Sequence, residues 1–343
     1  MKAWIIDKIS DLTKETLPLR MVELPRPVPD EGELLVRVNA CGICHTEIDE
    51  IEGRTPPPHF PVIPGHQVVG TVEETKGKRA DIKPGDRVGI AWIYSACGSC
   101  EFCLSGRENL CSGFTATGRD TNGGYAEYLI ANENFVYKIP DIFSDFEAAP
   151  LLCAGAIGYR SVSLCQMENG KRIGLTGFGA SAHLVLKLVR YLYPASEIFV
   201  FARNLEERQF ALDLGASWAG DTNNKPPRLL DCIIDTTPVW IPVLHALETL
   251  KPGGRLVINA IRKESLDQEY LLNLNYPAHL WMEKEIKSVA NVTARDVQEF
   301  IRIAAAMPFR PEVEVYPFED ANRAILDIKH RRIKGAKVLA IHP

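Results

Sequence analysis

The sequence predicts a two-part α/β protein, a mostly β half followed by a doubly wound parallel sheet. Three observations carry that expectation. The chain has 343 residues, which against about 100 to 200 residues per domain suggests two domains with cores large enough to need no disulfide staples. Up to about residue 140 the apolar residues come in short runs broken by Gly, Pro and Asp. Beyond Ser144 extended and helical patterns alternate, the signature of βαβ units.

In the first half, Glu33 to Val38, Val68 to Val72, Asp86 to Ala91 and Tyr125 to Ile130 read as strands between turn residues. Ser144 and Glu147 stand in capping-box register before an apolar run through Leu152 and Ile157, so a helix is expected to start there and a domain boundary to fall near residue 154. Then follow Arg172 to Leu175 extended, Ala182 to Leu192 helical, Ile198 to Phe201 extended, and Leu205 to Leu214 helical with Gly215 as its stop. Leu229 to Ile234 is extended, Val239 to Leu250 helical, and a Lys-Pro-Gly-Gly turn leads into a strand at Arg255 to Ile258. The tail offers two helices, Thr293 to Ala306 and Phe318 to His330, and a last strand at Lys337 to Ile341. These could close the second domain or return to the first.

Composition narrows the function. Lys plus Arg total 39 against 44 for Asp plus Glu, a net charge of −5, so no basic excess exists to bind a phosphate backbone. The first residues carry Lys2, Asp7, Lys8 and Asp11, which breaks any signal-peptide core, and no later run approaches the roughly 18 apolar residues of a membrane span. A cytoplasmic protein is expected, without nucleic-acid or membrane partners. Nine cysteines in that compartment point to metal binding or thiol chemistry rather than disulfides.

Cys97, Cys100, Cys103 and Cys111 form C-x2-C-x2-C-x7-C in a stretch rich in Gly and Ser. Four sulfurs with no vacancy suit a structural tetrahedral zinc. An iron–sulfur cluster fits the same ligands, because ligand type alone does not choose the metal. Cys44, His66 and Cys153 form a looser second set, in which each residue singly reads as easily as packing. Gly177-Phe178-Gly179-Ala180-Ser181-Ala182 fits G-x-G-x-x-A after an apolar strand and at a helix opening, the fingerprint of a Rossmann dinucleotide site. Gly177 permits the turn, Gly179 lets the pyrophosphate approach, small Ala182 allows close packing, and the helix N-terminus stabilises the phosphates.

Taken together, C-H-T-E at 44–47, G-H-Q at 65–67, the four-cysteine lobe, L-C-A-G at 152–155 and the glycine fingerprint make the chain resemble the zinc-dependent medium-chain alcohol dehydrogenases over nearly its whole length. The resemblance implies a GroES-like catalytic domain over 1–154 and 291–343, and a Rossmann domain over 155–290. It implies Cys44, His66 and Cys153 as catalytic zinc ligands, Cys41 as a packing residue, and two zinc ions per chain. Three protein ligands leave one position for water or substrate, where the metal would acidify a bound alcohol for hydride transfer to a nicotinamide.

By the same resemblance Thr46 takes the substrate proton, although it also suits a helix N-cap. His45 stands near the cofactor pyrophosphate and counts with Thr46 as a catalytic candidate, while Glu47 supports the ligands from behind. Gln67 replaces a Glu that in many members can approach the zinc, and Asp49 replaces the relay histidine of the liver and yeast enzymes. Trp92 matches a pocket aromatic that would favour slender alcohols; it reads equally as a core residue.

Ala202 and Arg203 fall where an Asp or Glu would select NAD by holding the ribose hydroxyls. Without that carboxylate and with a guanidinium adjacent, the reading favours NADP over NAD, unless Arg203 is merely a solvated charge. Lys337 lies near a family position that contacts phosphate. The expected reaction interconverts small primary or secondary alcohols with aldehydes or ketones. The alternatives are a cinnamyl-alcohol- or polyol-type dehydrogenase of the same superfamily, or a dinucleotide-binding protein without turnover. A homotetramer or dimer is implied.

Overall fold

The computed structural model describes residues 1–308, 310–330 and 335–342. It divides into two compact units, Met1–Ala156 with Val292–Pro343, and Ile157–Asn291.

The first unit is built on the strand Glu33–Ile43, whose alternating Leu34, Val36 and Val38 are buried. It pairs antiparallel with Gln67–Thr75, Tyr128–Asn132 and Ala336–Ala340. The tail thus returns to this sheet, with Ala340 opposite Ala40 and Leu339 opposite Cys41. Val313–Pro317 adds a parallel edge strand, and Arg87–Ile90 and Val136–Lys138 complete the seven. One continuous core, from Ala3 and Ile6 through Tyr125 to Ile325 and Leu339, fills the unit.

The second unit is a six-stranded, wholly parallel sheet. Its spatial order is Trp218–Gly220, Glu197–Phe201, Arg172–Thr176, Leu230–Asp235, Leu250–Ile258, Glu285–Ser288. In chain order that is 3-2-1-4-5-6, the doubly wound order, whose ligand crevice lies outside the carboxyl ends of strands 1 and 4. The crossover helices are Ala180–Leu192, Leu205–Asp213 and Ile241–Thr249. Among the described residues no helix is long and apolar enough to cross a membrane.

Several local expectations need correction. The Ser144–Glu147 capping box forms, but the helix behind it covers only Asp145–Ala148, followed by a 3-10 turn over Ala149–Leu152 and a new helix at Ala154–Leu164. Pro150 lacks the N–H that would continue an α-helix. Cys153 therefore sits not on a helix but at a break, with φ −128° and ψ −74°. Lys251–Gly254 lies within the strand Leu250–Ile258 as a bulge, since pairing jumps from Leu230↔Leu250 to Cys232↔Arg255. Two strands, Trp218–Gly220 and Glu285–Ser288, carry no strong sequence signal. They are the sheet's edges, and the second is exposed at every residue, so no alternation of burial marks it.

Candidate active site and metal centres

Cys44 caps the helix His45–Ile51, and its Sγ accepts from Thr46 N at 3.4 Å. Glu47 closes the box by accepting from Cys44 N at 2.8 Å. Its other oxygen lies 2.7 Å from His66 Nδ1, and both side chains are buried. One carboxylate thereby fixes a backbone at one candidate ligand and a ring at another. His66 follows Gly65, whose φ of 100° and lack of a Cβ let Tyr125 pack directly against it. The break at Cys153 turns that thiol toward the other two: donor atoms of Cys44, His66 and Cys153 all lie within 4.8 Å of one another.

Cys44 Sγ and His66 Nε2 are 3.7 Å apart, against about 3.6 Å for the edge of a tetrahedron with zinc–sulfur and zinc–nitrogen bonds of normal length. The hydrogen-bonded Cys153 thiol and burial push Cys44 well above its ordinary pKa, and Glu47 adds to this. Burial works against a charge on His66, but Glu47 and Cys44 outweigh it and raise its pKa. Such a crowd of acceptors calls for a cation. A dication among the donors offsets the repulsion between thiolates and leaves Nδ1 to donate to Glu47, the usual arrangement behind a metal-ligating histidine. The donor set therefore fits zinc.

Around it, Trp92 meets the His66 ring edge-to-face with centroids 4.9 Å apart and is buried in a small core cluster with Ile93 and Ala116, a placement that suits a pocket wall and a core residue alike. Thr46 is half-buried and His45 exposed. Gln67 is buried, and its side chain occupies the space that a Cβ on Gly42 would need. Asp49 accepts from Arg54 Nε at 2.5 Å, which commits its carboxylate to an ion pair.

The four cysteines of the lobe also converge, all Sγ atoms lying within 4.8 Å. Cys100 and Cys103 are 3.6 Å apart and Cys97 and Cys103 3.9 Å apart, which brackets the edge of about 3.8 Å of a tetrahedral four-sulfur zinc site. Backbone N–H groups of Ser99 and Cys100 draw the Cys97 thiol down to about 6, as a metal-binding thiolate requires.

In the second unit, Gly177 has φ 80°, and a Cβ there would strike Thr236 Oγ1 at 2.8 Å. At Gly179 a Cβ would meet nothing within 4 Å, so the space above it is open. Gly179 heads the helix Ala180–Leu192, and no side chain caps that helix. Those features fit a pyrophosphate. Phe178 turns away into an edge-to-face contact with Phe210 at 5.8 Å, and Ala182 is buried. Ala202, buried, and Arg203, exposed, follow directly on the strand Glu197–Phe201.

A family model, the alcohol dehydrogenase GroES-like domain, matches residues 30–141. A probable alcohol dehydrogenase, AdhA, of Mycobacterium tuberculosis is 41% identical, with 99% of this chain and 97% of that protein covered. An alcohol dehydrogenase of Geobacillus stearothermophilus is 34% identical, with 99% of each chain covered. The chain belongs to the medium-chain zinc alcohol dehydrogenase family. It is an alcohol dehydrogenase of that family, an oxidoreductase whose fold also matches a cinnamyl alcohol dehydrogenase of Sorghum bicolor, with TM-score 0.86, 25% identity and coverage of 99% and 97%.

Against the family pattern, one sequence expectation meets a different arrangement. Lys337 does not present its ammonium to an open phosphate site. Its side chain is 1% exposed and is bonded to Glu314 and, at 2.6 Å, to Tyr316 Oη, and it lies 4.8 Å from the Tyr316 ring centre. Sequence reasoning also passed over Glu50. That carboxyl is 1% exposed, neither oxygen has a hydrogen-bond partner among the described residues, and burial, with Glu47 near, drives its pKa up. Its spacing of three from Glu47 on one helix was the available signal, hidden among four acidic residues between 47 and 52.

Proposed function

We propose that this alcohol dehydrogenase binds one catalytic zinc through Cys44, His66 and Cys153, binds a second, structural zinc through Cys97, Cys100, Cys103 and Cys111, and prefers NADP to NAD. The observation that carries the reading is the convergence of three donors behind which one carboxylate holds two. When bound, zinc supplies Lewis acidity toward an alcohol oxygen and the nicotinamide takes or returns hydride. The chain's own part is positional. Glu47 orients His66 and Cys44, Thr46 is the acceptor for the substrate proton with its N–H bound to Cys44, and His45 lies one residue from both. Gln67, next to His66 in sequence and packed against Gly42, carries an amide rather than a carboxylate, and Asp49, held by Arg54, contributes no relay base.

For the cofactor, support comes from the missing carboxylate at Ala202 and the exposed guanidinium of Arg203. Gly177, Gly179, Ala180 and Ala182 form the turn and helix start that would hold the phosphates. Substrates are small primary or secondary alcohols and their aldehydes or ketones, consistent with the packing of Trp92 on His66. The open sheet edge at Glu285–Ser288, with Leu272, Trp281, Met282 and Ile286 exposed, supports a homo-oligomer.

Elemental analysis should find two zinc ions per chain, and turnover with NADPH should exceed that with NADH across a panel of short aldehydes and cinnamaldehyde. Alcohol oxidation that survives complete zinc removal would sink the metal assignment. Arg203→Ala should raise the KM for NADPH roughly 10- to 100-fold, the worth of a charge-assisted hydrogen bond, with the NADH constant little changed. Equal constants in wild type and variant return the preference to NAD. Thr46→Val should lower kcat about 10²- to 10⁴-fold, with Thr46→Ser active. A monomer in sedimentation at working concentration removes the oligomer.

A further inference from the structure

At the carboxyl end of the strand Leu230–Asp235, the second unit holds a buried ion pair that the reaction does not use directly. Asp235 is 0% and Lys263 7% exposed at the side chain, and the ammonium binds the Asp235 carboxylate. Its other two donors go to the carbonyls of Thr237 at 2.8 Å and Val239 at 3.0 Å, so all three N–H groups of the lysine are spent on one short loop. The second oxygen of Asp235 accepts from Thr237 N at 3.2 Å and Thr237 Oγ1 at 2.8 Å. Thr236 is pinned from the other side, its N and Oγ1 each 2.9 Å from Thr176 O. Glu264 N reaches back to Pro238 O at 2.6 Å.

This loop meets the glycine turn. Thr236 and Thr237 occupy the space where a Gly177 side chain would be. In the 3-2-1-4-5-6 sheet the ribose-selecting positions Ala202 and Arg203 end strand 2, on one side of the crevice, whereas residues 236–239 follow strand 4, on the other. A dinucleotide spanning the crevice lays its adenosine half toward strand 2 and its nicotinamide half toward strand 4. A fully neutralised lysine adds no net attraction for phosphate. What it adds is shape.

We propose that Asp235 and Lys263 are positioning residues that hold the Thr236–Val239 loop in its cofactor-receiving form before the dinucleotide arrives, and so favour the nicotinamide half selectively. The inference rests on the nicotinamide-cofactor reading and goes beyond it by assigning the pair a role in affinity.

Lys263→Met alone leaves a buried carboxylate without its cation, so the test uses the charge-balanced Asp235→Asn/Lys263→Met protein, with folding checked by circular dichroism. If the loop then holds its receiving form about a tenth of the time, the Kd for NADP⁺ rises about tenfold. The Kd for 2′,5′-ADP, which lacks the nicotinamide half, should stay within about twofold, since preorganisation acts only on what the loop touches. An unchanged NADP⁺ constant in the folded double variant overturns the proposal. So does a parallel loss for both ligands, which means general loosening. Wild type that binds neither NADP⁺ nor NAD⁺ overturns the cofactor reading itself. Amide exchange on the wild-type apoenzyme decides independently of any variant: protected Thr236 and Thr237 amides, bonded to Thr176 O and the Asp235 carboxylate, that change little on adding NADP⁺ are expected, and amides that become protected only with NADP⁺ refute the preformed loop.

Discussion

The two cysteine-rich donor sets offer similar ligand chemistry in different surroundings, and the difference shows what each is suited to. In the lobe, four sulfurs come from one short stretch, Cys97 to Cys111, with Cys97 exposed. Backbone N–H groups of Ser99 and Cys100 lower the Cys97 thiol, whereas burial pushes Cys103 up to about 12, and four ligands would close a tetrahedron. The buried centre draws Cys44, His66 and Cys153 from a helix cap, a strand entry and a helix break far apart in sequence. There a buried carboxylate reaches two donors, and an aromatic ring packs on one of them. A metal held by three ligands in a built surround can do chemistry; one held by four on a lobe can only hold the lobe.

The contrast breaks most easily at Cys153. Cys153→Ala should reduce turnover on the order of 10³-fold or more, because several kcal/mol of charge stabilisation go with the metal, while the melting temperature changes little and the zinc count falls from two to one. If turnover persists, the centre is not catalytic. Cys100→Ser should show the reverse signature. Losing the lobe's metal should cost about 3 to 5 kcal/mol of stability, in the upper range for single substitutions, measured by denaturant unfolding. Turnover assayed cold should survive. Equal loss of activity in both variants would erase the distinction.

The same contrast explains what was legible in the sequence. The lobe is local, so its spacing alone announced it. The centre is assembled by the fold, and Cys44, His66 and Cys153 stood out only because the chain resembles a known family. The parallel sheet was legible through its buried strands, such as Ile198–Phe201, whereas Trp218–Gly220 and Glu285–Ser288 lie at edges where burial leaves no pattern. The helix from Ser144 was read as continuous because capping and apolar content outweighed Pro150, yet that proline and the break after it are what turn Cys153 toward its partners. Asp235 and Lys263 are 28 residues apart and carry no local signal, since ion pairs across loops have no period. Lys337 shows the opposite error: a family position suggested phosphate, and Glu314 and Tyr316 take the charge instead.

Glu47→Gln sharpens the comparison further. Glutamine keeps an acceptor for Cys44 N and loses the charge facing His66, so zinc affinity at the buried centre should fall 10- to 100-fold, the usual effect of altering a group behind a ligand. Competition with a chelator, followed by zinc content, should show one ion lost early and the lobe's ion retained. Loss of both together would mean that the lobe depends on the centre.

The smallest effect is expected at Trp92. Its ring stands at 88° to the imidazole, with the Arg119 guanidinium 5.7 Å away on another approach. Trp92→Phe retains an aromatic wall but shortens it, so the His66 contact should weaken by about 1 kcal/mol, the scale of one edge-to-face pair. Zinc content should remain at two. Because the shortened ring opens space beside the donors rather than moving them, the variant should show a raised KM for short alcohols and an improved kcat/KM for bulkier ones. An unchanged ranking of substrates would make Trp92 a core residue, and the buried centre would then owe its selectivity to another wall.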